Sequence, residues 1–141
     1  MAKRVLDYFF SAPADSNGDL NRAIPTAPTR IRLAEFGLKI PQNVNQVDLK
    51  ATVGWSAVAG RPNVQFKIIR GNNQVIYSTT DEIDITVIED KTVTFTAVDI
   101  NVPAGQTKYA ITVELTNPEG ALNQAAVTGP VTFSGTAYGN I

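Results

Sequence analysis

The chain has 141 residues, and its twelve Lys and Arg against thirteen Asp and Glu leave a net charge of −1. That is the length of one domain, and so balanced a surface has no strong pull on nucleic acid or anionic lipid. Cysteine and histidine are both absent, which excludes disulfides, thiol catalysis, Cys-based metal centres and the imidazole base of Ser and Cys hydrolases.

The start, Met1-Ala2-Lys3-Arg4-Val5-Leu6-Asp7, has the positive charge of a signal peptide, but Asp7 cuts its apolar run and Tyr8-Phe9-Phe10 is too short to restore it. No Sec signal is expected, nor is a transmembrane helix, because no stretch approaches the ~20 apolar residues needed to span a bilayer. Residues 1–28 read as an irregular N-terminal arm. They hold Pro13, Pro25 and Pro28 and the turn-forming Asp15-Ser16-Asn17-Gly18-Asp19. Within the arm, Val5, Leu6, Tyr8, Phe9 and Phe10 form an apolar, strand-prone island with nothing local to pack on.

From Thr29 the period becomes two. Val, Ile and Thr supply 41 of the 141 residues, a bias that favours strands. Ile31 and Leu33 alternate with arginines, then Phe36, Leu38 and Ile40 take over. A β-bulge near Ala34-Glu35 accounts for the slip in phase. Val47, Leu49, Ala51, Val53 and Trp55 give the clearest half-buried strand. Val64, Phe66 and Ile68 follow, turned by Gly71-Asn72-Asn73 into Val75-Ile76-Tyr77. Further alternations are Ile83/Ile85/Val87, Val93/Phe95/Ala97 and Tyr109/Ile111/Val113/Leu115. The last strand region covers 125–138, with Val131 and Phe133 inward and a kink at Gly129-Pro130. Eight or nine strands with short turns predict an all-β fold, an antiparallel β-sandwich of jelly-roll type over residues 29–141. Trp55, Phe66, Phe95, Ile111 and Phe133 are its predicted core.

Sites of chemistry are scarce. Asp81, Glu82, Asp84, Glu89 and Asp90 cluster, but their spacing matches no EF-hand and the needed glycine is missing, so they read as a solvated edge more readily than as a calcium site. Glycosidases need two carboxylates and no histidine. Their clefts are lined by aromatic residues, whereas Trp55 sits in phase with its strand's core residues. Tyr77, Tyr109 and Tyr138 could stack on a sugar, although two of the three fall on inward phases. No Ser or Thr has a basic partner at recognisable spacing, and there is no Gly-rich phosphate loop. No catalytic, cofactor or metal residues are expected.

Four stretches carry a resemblance: residues 49–55 (LKATVGW), 64–79 (VQFKIIRGNNQVIYST), 92–117 (TVTFTAVDINVPAGQTKYAITVELTN) and 127–138 (VTGPVTFSGTAY). In this order they resemble the exosporium protein C-like proteins of the bacterial endospore surface. The Phe66-Lys67-Ile68-x-Arg70 strand, the turn at 99–105 and the closing 129–135 segment carry most of it. The likeness covers about residues 45–138 and contains no catalytic motif. It implies a structural protein of the spore's outer layer or appendages, made in the mother-cell cytoplasm without a signal peptide. Appendage pilins often carry cysteine-bearing arms, so a pilin with this sequence must cohere without disulfides.

The expected function is therefore a structural, self-assembling subunit of an endospore surface layer or fibre, not an enzyme, with no cofactor. Its partners are copies of itself or other spore-surface proteins, with no nucleic acid and no membrane. The subunit interface is expected at Val5, Leu6, Tyr8, Phe9 and Phe10, docked by strand addition onto a neighbour's sheet edge. An arm packed on its own domain, or a disordered terminus, is the alternative. A binding module for carbohydrate or a partner peptide is the other functional reading.

Overall fold

A computed structural model describes residues 3–140; Met1, Ala2 and Ile141 lie outside the described residues. The strands are β1 (Lys3–Ala14), β2 (Arg22–Ala23), β3 (Ile31–Ile40), β4 (Asn45–Ala59), β5 (Asn63–Arg70), β6 (Gln74–Glu82), β7 (Asp90–Ile100), β8 (Gly105–Leu115) and β9 (Gln124–Asn140). One sheet has the order β1-β9-β4-β7, with β2 also on β9, and the other has the order β3-β8-β5-β6. All these strand pairs are antiparallel. Two such sheets face to face, with the chain crossing repeatedly between them, form a jelly-roll β-sandwich.

Alternation explains the sandwich. Along β4, Val47, Leu49, Ala51, Val53 and Trp55 are buried while Asp48, Lys50 and Thr52 face outward. Phe66 and Ile68 on β5, Ile111 and Val113 on β8, and Val131 and Phe133 on β9 meet them from both sides. Each such side chain contributes roughly 1.5–3 kcal/mol by leaving water. Phe36 and Phe133 pack across the sheets with centroids 4.7 Å apart, and Phe95 sits between Phe66 (5.7 Å) and Tyr77 (5.6 Å). All five predicted core residues are buried. Gly54 must lack a side chain, because a Cβ there would run into the Gly129 carbonyl on β9. The bulge in β3 falls between Arg32 and Ala34, at the phase slip or one residue before it.

Three expectations are corrected. First, the 1–28 segment is not an irregular arm over its described part. Lys3–Ala14 is a strand of 12 residues on the free edge of its own β9, from Lys3 opposite Asn140 to Ala14 opposite Val131. The strand-prone island needed a partner, and the 17-residue β9 supplies one along its whole length. Residues 15–28 are irregular apart from β2 and are tied down: Gly18 N–H donates to Thr128 O at 2.8 Å, and Leu115 N–H to Pro25 O at 2.7 Å. Second, the 83–87 alternation is not a strand. Asp84 Oδ1 accepts the Thr86 hydroxyl at 2.7 Å and the Thr86 N–H at 3.0 Å. Val87 and Ile88 N–H then donate to Asp84 O, and this local turn outcompetes extension. The Thr86 hydroxyl, followed by its N–H, holds the Asp84 carboxyl below the usual carboxylate range. Third, the acidic cluster is not uniformly solvated. Asp81 is largely buried and accepts from both Trp55 Nε1 and Lys91 Nζ.

Candidate functional site

The outward face of the β1-β9-β4-β7 sheet is built from three cross-strand rows. Val5, Tyr138, Gln46 and Ile100 form the first. Tyr8, Thr136, Asp48 and Val98 form the second, and Phe10, Ser134, Lys50 and Thr96 the third. Each row starts on an apolar β1 residue and crosses polar ground on β4. The first two rows end on an apolar β7 residue. A shallow groove runs down the middle, lined by Asp48, Lys50, Thr96, Val98, Ser134 and Thr136.

The expected interface residues all sit on β1. Val5, Tyr8, Phe9 and Phe10 are 59%, 54%, 56% and 57% exposed. Tyr8 and Phe10 point to the outer face with ring centroids 6.3 Å apart, and Phe9 lies opposite Gly135. Leu6 differs: it sits at a register shift between Val5 and Asp7, half-buried against the core. Asp7 fixes the strand to the second sheet, its Oδ2 accepting the Lys39 N–H at 2.7 Å. β1 is therefore anchored by Leu6, Asp7 and the β9 ladder, and it leaves four large apolar side chains in water.

Val98 and Ile100, 56% and 64% exposed, form a second apolar column at the opposite margin of the same face. Alternation in the sequence marks only the inward set of β7, Val93, Phe95 and Ala97. The signal for the second column was present, because apolar residues occupy outward phases of a strand whose inward phases are already apolar.

The other candidate groups have structural partners. Trp55 and Tyr109 are fully buried and offer no ring to a sugar, while the half-buried Tyr77 stacks on Phe95. Among the described residues, no group of three or more His, Cys, Asp or Glu side chains could hold a metal ion, and no helix is long and apolar enough to cross a membrane.

No protein-family model matches the chain, and no curated protein matches it in sequence. Solved structures resemble it in fold. The VP2 subviral particle of infectious bursal disease virus matches with a TM-score of 0.51 at 13% identity, over 99% of this chain and 37% of that one. An arabinose-bound α-L-arabinofuranosidase gives 0.48 at 10% identity, over 95% of this chain and 23% of its own. The globular domain of zebrafish complement 1qA protein gives 0.41 at 15% identity, over 92% and 94%. The chain thus spans well under half of the first two. At such identities the likeness concerns the fold alone, that of an antiparallel jelly-roll sandwich.

Proposed function

We propose that this chain is a structural, self-assembling subunit of a bacterial endospore surface layer or fibre, without catalytic activity. The observation that carries the assembly role is β1: an edge strand with Val5, Tyr8, Phe9 and Phe10 more than half exposed. Natural edge strands are blunted against pairing by charges, prolines or bulges. β1 has such devices on both flanks, with Lys3, Arg4 and the register shift at Leu6 beside Asp7 on one side and Pro13 within the Ser11–Ala14 register shift on the other, but Tyr8, Phe9 and Phe10 between them have none. Clustered apolar side chains on a monomer's surface mark an interaction site. The endospore location rests on the sequence resemblance over residues 45–138. Because β1 is held by its own β9, the subunit offers β1 as an edge and does not donate it as a free arm.

Electron microscopy of the purified protein tests the role. Fibres or ordered arrays are expected, and Tyr8→Lys should abolish them while leaving the circular dichroism spectrum unchanged. A wild-type protein that stays monomeric at high concentration overturns the proposal.

A further inference from the structure

Among the described residues, the sandwich is bounded by β1, continued along β9 by the two-residue β2, and by β7 in one sheet, and by β3 and β6 in the other. β3 is closed to a partner of β1 by β1 itself, through Asp7 on the Lys39 N–H. β7 carries Asp90, Lys91 and Asp99 at its ends; Lys91 and Asp99 turn inward onto Asp81 and Arg70, Asp90 accepts the Ser56 hydroxyl, and residues 92–98 between them bear no charge.

We infer that the partner of the β1 edge is the β7 edge of a second copy of this chain, joined head to tail into one continuous sheet. The inference rests on the proposed assembly role and names the surface that completes it. Three observations carry it. First, strand direction alternates across β1-β9-β4-β7, so β1 and β7 run in opposite directions. A copy placed beside its neighbour by translation therefore continues the antiparallel ladder without reversal. The uncharged stretch of β7 gives that ladder about 23 Å at ~3.3 Å per residue.

Second, extending the rows sets Ile100 beside the next copy's Val5 and Val98 beside the next copy's Tyr8. Two exposed apolar columns, each at a margin, become one covered stripe. Cross-strand apolar pairs of this kind are the unit of sheet stabilisation.

Third, the two sides differ in charge. Residues 3–40, which hold β1 and β3, carry six Lys and Arg against four Asp and Glu, whereas residues 74–100, which hold β6 and β7, carry one against six. Pairing β1 with another β1 about a two-fold axis would oppose two basic sides and close as a dimer. Pairing β1 with β7 opposes unlike charges and repeats without closure.

The experiment uses the full chain with single blocked edges: Tyr8→Lys on β1, and Val98→Lys on β7 with Ile100→Lys as a second β7 variant. These side chains face solvent, and thermal melts check that each variant folds. Light scattering and microscopy should show the wild type polymeric and each variant monomeric. An equimolar mixture of Tyr8→Lys and Val98→Lys should stop at a heterodimer, since only one intact pair of edges remains. Raising salt should slow wild-type growth, because unlike charges on the two sides are screened. If both β7 variants polymerise like the wild type while Tyr8→Lys does not, or if the mixture stays monomeric, the β7 assignment is overturned and the assembly role stands. If Tyr8→Lys polymerises, or the wild type never does, the assembly role falls and the β7 assignment with it.

Discussion

Trp55 and Asp81 join the two sheets: the indole Nε1–H on β4 donates to Asp81 Oδ2 on β6 at 2.9 Å. The other carboxylate oxygen accepts Lys91 Nζ at 2.7 Å. Near the other end of β7 the same design recurs. Asp99 Oδ2 accepts the Tyr109 hydroxyl at 2.9 Å and the Arg70 guanidinium at 2.7 Å. In both places a buried aromatic side chain needs a partner for its polar tip, and a carboxylate that a cation already balances provides it. Each bond crosses the sandwich, so the pairs fix how the sheets sit on one another.

Asp81→Ala should cost about 2–4 kcal/mol, because it orphans the fully buried Trp55 indole and removes the partner of Lys91. Asp81→Asn should cost less, since its amide oxygen still accepts one bond. Denaturant melts decide, and equal stability of both variants with the wild type would show that water already satisfies the indole.

Burial, followed by the charge of Asp99, pushes the Tyr109 phenol far above its ordinary value. The unfolded chain's tyrosine ionises more readily than the buried one, so rising pH draws the equilibrium toward the unfolded state once it passes the ordinary tyrosine value. The contribution is thus fully present below about pH 10, the ordinary tyrosine value, and is lost as pH rises beyond it. The wild-type melting temperature should fall steeply between pH 10 and 12. Tyr109→Phe should start lower at neutral pH, having lost the Asp99 bond, and decline with a shallower slope. Parallel curves for the two proteins would refute the assignment.

Phe95→Ala should cost ~3–5 kcal/mol, since the ring is buried between Phe66 and Tyr77. A loss under about 1 kcal/mol in a urea titration would mean that the two neighbouring rings collapse into the space.

Much of the fold was legible in the sequence, because a period of two is a strong signal wherever one face is buried. Val47 to Trp55, and Val131 with Phe133, could be read from alternation alone. The 83–87 segment was misread because Ile83, Ile85 and Val87 keep the strand period while Asp84 writes a local turn, and periodicity does not see a side chain bonding to its own backbone. The apolar, strand-prone character of β1 was also legible. Its place on its own β9 was not, since that pairing joins residues more than a hundred positions apart and no local pattern encodes it. Asp81 looked like part of a solvated cluster because its partners, Trp55 and Lys91, come from other strands.

The position of β1 in the jelly roll changes what a truncation should do. Removing residues 2–12 takes away most of a core-sheet strand, with the half-buried Leu6 and the Asp7 contact to Lys39, and it bares the β9 edge from Phe133 to Asn140. An intact, merely non-polymerising domain is therefore not the expected product. The truncated chain should melt well below the full chain and aggregate through its exposed β9 edge. A synthetic peptide with the sequence of Lys3–Ala14, added in trans, should occupy that edge by strand addition. At a hundredfold excess over its Kd the peptide adds about 2.7 kcal/mol to the stability of the native state, which corresponds to a rise in Tm of several degrees. A peptide with lysine in place of both Leu6 and Phe9 should give no rise, since Leu6 supplies the packing against the core. Differential scanning calorimetry on the truncated chain, with each peptide in turn, reads the outcome. A truncated chain that melts with the full-length protein, and ignores the peptide, would show that β1 contributes nothing to the roll.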